Sequence, residues 1–111
     1  MLDGKRFLDG IAKCCLVIFK EGYGKPESWG PLFDIPYRCL LPLKVENLLV
    51  SGRCISCDRK VPKTHSLKFS GTSAAIGEAA GIAGALSQQK GISPRALPVA
   101  ELQQRLREKG A

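Results

Sequence analysis

The sequence predicts a small α+β domain built from two or three short strands, one long helix of small residues and a C-terminal amphipathic helix. Three observations carry this. Short apolar runs at Cys15–Phe19, Tyr37–Leu41 and Leu48–Ser51 are each bounded by Gly, Pro or polar residues, as strands are. Thr72–Gln89 is free of Pro and dense in Ala and Gly, a helical composition with an unusual share of glycine. Val99, Leu102 and Leu106 recur at i, i+3 and i+7 among charged residues, the spacing of a one-sided helix.

Taken in order, residues 1 to 13 carry Leu2, Phe7, Leu8, Ile11 and Ala12 at a loosely helical spacing that Asp9 and Gly10 break. Cys15 to Phe19 is β-branched and aromatic enough for a short strand. Gly22, Gly24, Pro26, Gly30 and Pro31 then read as an exposed loop over 21–33. Tyr37 to Leu41 is expected to be a strand between Pro36 and Pro42. Leu48 to Ser51 is expected to be a buried strand approached through the turn at Val45, Glu46 and Asn47.

The helix over 72–89 has Ser70 or Thr72 as its expected N-cap, and Lys90 and Gly91 as its basic last turn and stop. Pro94 and Pro98 punctuate the loop before the last helix, which ends at Gly110. No internal repeat and no linker of domain-boundary composition appears, so residues 1–111 form one unit.

At 111 residues such a unit buries a real core, and 44% hydrophobic with 24% charged residues argues against disorder. The formal charge of +7 suits phosphate groups or acidic partners. The basic residues are nevertheless scattered from Lys5 to Lys109. Their densest group, Arg53, Arg59, Lys60, Lys63 and Lys68, has no interleaved stacking aromatics, which argues against nucleic acid. Five cysteines, an odd number, point to free thiols in a reducing compartment. The apolar window 11–19 is far short of the roughly 20 residues of a membrane span, so a cytoplasmic protein off the membrane is expected.

Several motifs resemble known chemical signatures. The pairs Gly4-Lys5 and Gly24-Lys25 are followed by Arg6 and Pro26, so neither is a phosphate-cradling loop. Gly22 and Gly24 imitate the start of a dinucleotide fingerprint, but Glu27 stands where its third Gly belongs. Cys54 and Cys57 have the spacing of half a zinc site or a redox pair, without two further ligands at regular spacing, and no metal is expected. His65 stands alone near Ser66 and Ser70 without a nucleophile elbow. Gly77 and Gly81 match a membrane helix-dimer spacing, against which Glu78 argues.

Two features remain. Leu48 to Arg53 is expected to deliver Gly52, with no side chain in the way, at the end of a buried strand, where ligands bind. In the long helix, Gly77, Gly81 and Gly84 lie among alanines, and close packing on a sheet is the expected reason at Gly81 and Gly84. The first turn instead faces its free amides toward an anion or a developing negative charge. Arg38 is a clamp for a carboxylate or phosphate, or the partner of Asp34 or Glu46 in an ion pair.

The stretch from Asp34 through Gly52, Arg53 and the small-residue helix to Leu86 resembles the C-terminal flavin-contacting segment of FAD-dependent oxidoreductases with the glutathione-reductase-type fold. That resemblance extends over essentially the whole chain. It implies a partial FAD-binding domain with FAD as cofactor. Gly52 and Arg53 would lie beside the ribityl and pyrophosphate portion, Ala75, Ile76 and Gly77 near the pyrimidine side of the isoalloxazine, and Arg38 toward substrate. The family's N-terminal Gly-x-Gly-x-x-Gly half is absent, Lys68 stands where the family has Arg, and Gly71 stands where Pro is common. The resemblance therefore implies a C-terminal segment that transfers hydride to FAD only with the missing half, supplied by a complementary flavoprotein chain or by upstream coding sequence, with self-association as the other expected partnership. The alternative is a small non-enzymatic binding or assembly module on the same scaffold.

Overall fold

The computed structural model describes residues 6–18, 28–57, 67 and 69–110, without the side chains of 16–18, 28 and 29. The decoy glycines 22 and 24, His65 and Lys68 lie outside the described residues, as does most of the basic group after Arg53.

Two strands, β1 (Gly10–Ile18) and β2 (Ser28–Pro36), pair antiparallel, with Cys14 opposite Phe33 and Lys13 opposite Asp34. Strand β1 therefore begins where a broken helix was expected, and β2 occupies much of what reads as loop 21–33. The physical reason is the pairing itself. An isolated run cannot satisfy its backbone groups, whereas each strand here completes the other's ladder. The proline that disguised β2 is accommodated by the register, which slips between Trp29 and Leu32 on either side of Gly30 and Pro31. Phe33 and Ile35 are buried while Leu32 is 60% exposed, so the sheet has one core face.

Gly10 answers a close approach. A side-chain carbon there would stand 3.1 Å from the carboxylate of Asp34, which is itself buried and accepts the Phe7 amide at 3.0 Å.

The two other expected strands are not strands. Tyr37–Leu40 is a 3-10 turn following Pro36, held by a hydrogen bond from the Tyr37 amide to the Asp9 carbonyl at 2.7 Å and by burial of Tyr37, Cys39 and Leu40. Residues 48–51 are irregular, with Leu48 exposed, and follow a left-handed Asn47 at φ 55°. Isolated bonds, Val50 amide to Leu40 carbonyl and Ser56 amide to Cys39 carbonyl, both 2.9 Å, lay this segment along the Tyr37–Leu40 turn without a ladder.

The helices follow the sequence closely. Helix α1 (Ser70–Lys90) ends at Gly91, which takes φ 62° and donates to Gln88, while Ile92 donates to Ser87 at 3.1 Å, a Schellman-type stop. Its N-cap is Phe69, not Ser70 or Thr72. Helix α2 (Val99–Glu108) buries Leu102 and Leu106 on one stripe, as its spacing dictates. Lys90 bridges to Glu101 at 3.0 Å, and Gln103 donates to the carbonyls of Leu8 and Gly10 at 2.9 and 2.8 Å. One core, including Phe33, Ile35, Leu40, Ile76 and Leu102, lies between the sheet and the two helices, so the architecture is α+β.

Candidate functional site around helix α1

The start of α1 is tied to the sheet. The Thr72 hydroxyl and the Cys14 thiol lie 3.4 Å apart, so β1 fixes the first turn of the helix. No side chain caps that turn and no acidic residue stands in it. The Ser73 amide bonds the Phe69 carbonyl at 3.0 Å. The amides of Ser70, Gly71 and Thr72 are then the ones helical geometry leaves without an intrahelical partner, at the positive end of the helix dipole.

The helix has two unlike faces. Ile76, Ala79, Ala83, Leu86 and Ser87 are buried, and Ser87 Oγ has no hydrogen-bond partner among the described residues. On the opposite side Ala74, Gly81, Ala85 and Gln88 are exposed, with Gly77 and Gly84 half-buried. Among the described residues, a side-chain carbon added at Gly71, Gly77, Gly81 or Gly84 would meet nothing within 4 Å. The close helix-on-sheet packing expected at Gly81 and Gly84 is therefore not what these glycines serve. Each interior glycine costs about 0.5–1 kcal/mol relative to alanine, and no contact among the described residues offsets it.

Ala75, Ile76 and Gly77 point three ways. Ile76 is fully buried in the core, Gly77 faces the open side, and Ala75 lines a cavity of about 600 Å³ between β1, α1 and α2. Lys13, Asp34, Glu78, Gln103 and Arg107 also line that cavity with Phe7, Ile11 and Leu106, so charges of both signs stand around a mainly apolar wall. The amides of Ala75 to Gly77 lie inside the hydrogen-bonded helix, and what these residues present outward is surface.

Gly52 and Arg53 begin a 3-10 turn, Gly52–Cys54, that packs against α1. Gly52 has φ 69° and open space where a side chain would be, so its backbone conformation is what requires glycine. Arg53 is exposed. The Gly52–Cys54 segment thus packs against α1 as a turn, not as the strand end expected.

Arg38 forms an ion pair with Asp9 at 2.5 Å and its guanidinium lies 4.9 Å over the Phe7 ring. The partner is neither Asp34 nor Glu46. Asp34 receives the Phe7 amide, and Glu46 pairs with Arg95 at 3.0 Å. Asp9 and Phe7 escaped the sequence reading because their segment reads as a broken helix; only the strand pairing carries them beside the Tyr37–Leu40 turn. The Arg38 side chain remains 58% exposed.

Among the described residues no group of His, Cys, Asp and Glu could hold a metal ion, and no helix is long and apolar enough to cross a membrane. Cys54 is exposed whereas Cys57 is half-buried. Burial pushes the Cys14 thiol above its ordinary value against the opposing Thr72 hydrogen bond. Cys39 is likewise raised by burial, with Arg38 pulling it down.

No curated protein and no solved structure matches the chain. The family described as FAD dependent oxidoreductase matches residues 2–106, a span that includes both strands, the Gly52–Cys54 turn and all of α1. With almost its whole length so matched, the chain belongs to the FAD dependent oxidoreductase family.

Proposed function

We propose that the chain is the C-terminal, flavin-contacting segment of an FAD-dependent oxidoreductase of the glutathione-reductase type. The observation that carries this reading is the open small-residue face of α1, where glycines that pack on none of the described residues leave room for a flat ligand or a second backbone. The residues present fit one side of a flavin nucleotide. The orphan amides of Ser70, Gly71 and Thr72 favour an anionic group, and Gly52 and Arg53 offer a turn without steric obstruction and a cation. FAD, when bound, accepts a hydride.

In this reading Ala75 and Gly77 supply surface near the ring, and Ile76 holds the helix to the core beneath them. Arg38, oriented by Asp9 and Phe7, meets a substrate carboxylate from its exposed side. Hydride transfer requires the half that grips the nucleotide, supplied by a complementary flavoprotein chain or by a further segment of the same protein, with self-association as another way to cover the apolar side chains of Leu43, Val45 and Leu48. Free thiols suit a cytoplasmic setting. Those same exposed apolar residues support a second reading, a non-enzymatic assembly module on the flavoprotein scaffold.

Titration of the purified chain with FAD, followed by flavin fluorescence alongside size-exclusion chromatography, tests for flavin contact. Flavin contact is expected to quench the fluorescence in the wild type and in Gln104→Ala, and much less in Gly77→Val. A chain shown to be folded by circular dichroism that leaves flavin fluorescence unchanged sinks flavin binding by the chain alone, and leaves the segment that needs its other half or the assembly module.

A further inference from the structure

The five cysteines are not equivalent, and two of them are arranged as a pair that the Cys54-x-x-Cys57 spacing conceals. Backbone after the Gly52–Cys54 turn is extended, with Ile55 at φ −63° and ψ 151°. Side chains there alternate in direction. Cys54 is exposed, Ile55 buried, Ser56 exposed, and Cys57 half-buried against the core. Cys54 therefore faces solvent whereas Cys57 packs against the core. Cys39 lies on the inner side of the Tyr37–Leu40 turn, 8% exposed in that same core. Its carbonyl accepts the Ser56 amide at 2.9 Å, which sets Cys57 one peptide step from the point where the two segments are bonded.

We propose that Cys39 and Cys57 form a reversible disulfide, a thiol-modification site that staples the base of the segment 40–56. The oxidant class is a low-molecular-weight disulfide. The Cys57 thiolate, the more accessible of the two, attacks one sulfur of the oxidant, forming a mixed disulfide and releasing one thiolate. The Cys39 thiolate then attacks the Cys57 sulfur, closing the Cys39–Cys57 bond and expelling the second small thiol. The two protons lost by the cysteines end on the two released thiols, and the oxidant takes both electrons. The charge of Cys57 is among the causes that raise the Cys39 thiol, after burial, which accords with their proximity. Burial keeps Cys39 mostly protonated, so the second step is the slow one. The staple requires no flavin, and its success or failure is independent of the flavin reading.

The test is treatment of the full chain with oxidised glutathione, trapping with N-ethylmaleimide, and peptide mapping by mass spectrometry without reduction. The expected product is a cross-linked peptide pair joining Cys39 to Cys57 with the loss of two hydrogens, reversed by dithiothreitol. It is expected to persist in Cys54→Ser and to vanish in Cys57→Ser, both of which replace side chains outside the fully buried core. A Cys54–Cys57 bridge, a bridge involving Cys14 or Cys15, or glutathione adducts alone would each overturn the proposal.

Discussion

The Tyr37 hydroxyl donates to the Pro94 carbonyl at 2.8 Å, joining the turn that follows β2 to the loop between the two helices. Burial holds the Tyr37 phenol above its ordinary range, as suits a hydroxyl kept as a donor inside the protein. Tyr37→Phe removes the bond while keeping the ring, and the Pro94 carbonyl retains only the longer bond from the Leu97 amide at 3.3 Å. An equilibrium denaturation curve is expected to show a loss of about 0.5–1.5 kcal/mol, and Tyr37→Ala about 3–5 kcal/mol because the ring leaves a cavity.

Alkaline stability follows from the same burial. Cys14, Tyr37 and Cys39 are all raised by the fold, each chiefly through desolvation. A group raised in the folded state contributes stability that is fully present below its unfolded pKa and lost as pH rises through the folded one, because the unfolded chain ionises first. The melting temperature is expected to hold up to the ordinary thiol value of 9.0 and to fall above it. In Cys14→Ala the fall is shallower; a flat profile to the limit of the titration would contradict the assignment.

The unlike faces of α1 give substitutions of opposite sign. At Gly81 an added methyl meets nothing, so Gly81→Ala is expected to stabilise the isolated chain by about 0.5–1 kcal/mol. At Gly91, where φ is 62°, the same change is expected to destabilise by about 1 kcal/mol. Thermal melts of the two variants check both signs, and destabilisation by Gly81→Ala would show that this face is already packed.

Leu102 is fully buried whereas Leu43 is 94% exposed. Leu102→Ala is expected to cost about 2–5 kcal/mol, enough to threaten a domain of this size. Leu43→Ala is expected to stay within about 0.5 kcal/mol, and urea denaturation of the pair measures the difference. If size-exclusion chromatography shows the chain self-associating, Leu43→Ala is also the substitution expected to weaken that association.

What the sequence made legible was governed by local rules. Gly91 stops α1 because a left-handed residue closes a helix, and Leu102 and Leu106 face inward because their spacing leaves no other face. The sheet was less legible because its partners are separated by residues of no periodicity, and Pro31 marks a loop until its register slip is known. Gly52 was read for its freedom from a side chain, and it does need glycine, although for a positive φ within a turn and not at the end of a strand. The Arg38 partner was illegible for a related reason, since Asp9 approaches it only once β1 and β2 have paired.

Gln103 holds the carbonyls of Leu8 and Gly10 across separations of 95 and 93 residues. Those acceptors are synthesised among the first residues of the domain and their donor among the last. A nascent chain therefore carries the start of β1 without its Gln103 contacts until α2 has been synthesised. Shortening α2 ahead of Gln103 is accordingly a lesion at the opposite end of the sequence, where a protease would find the newly loosened segment.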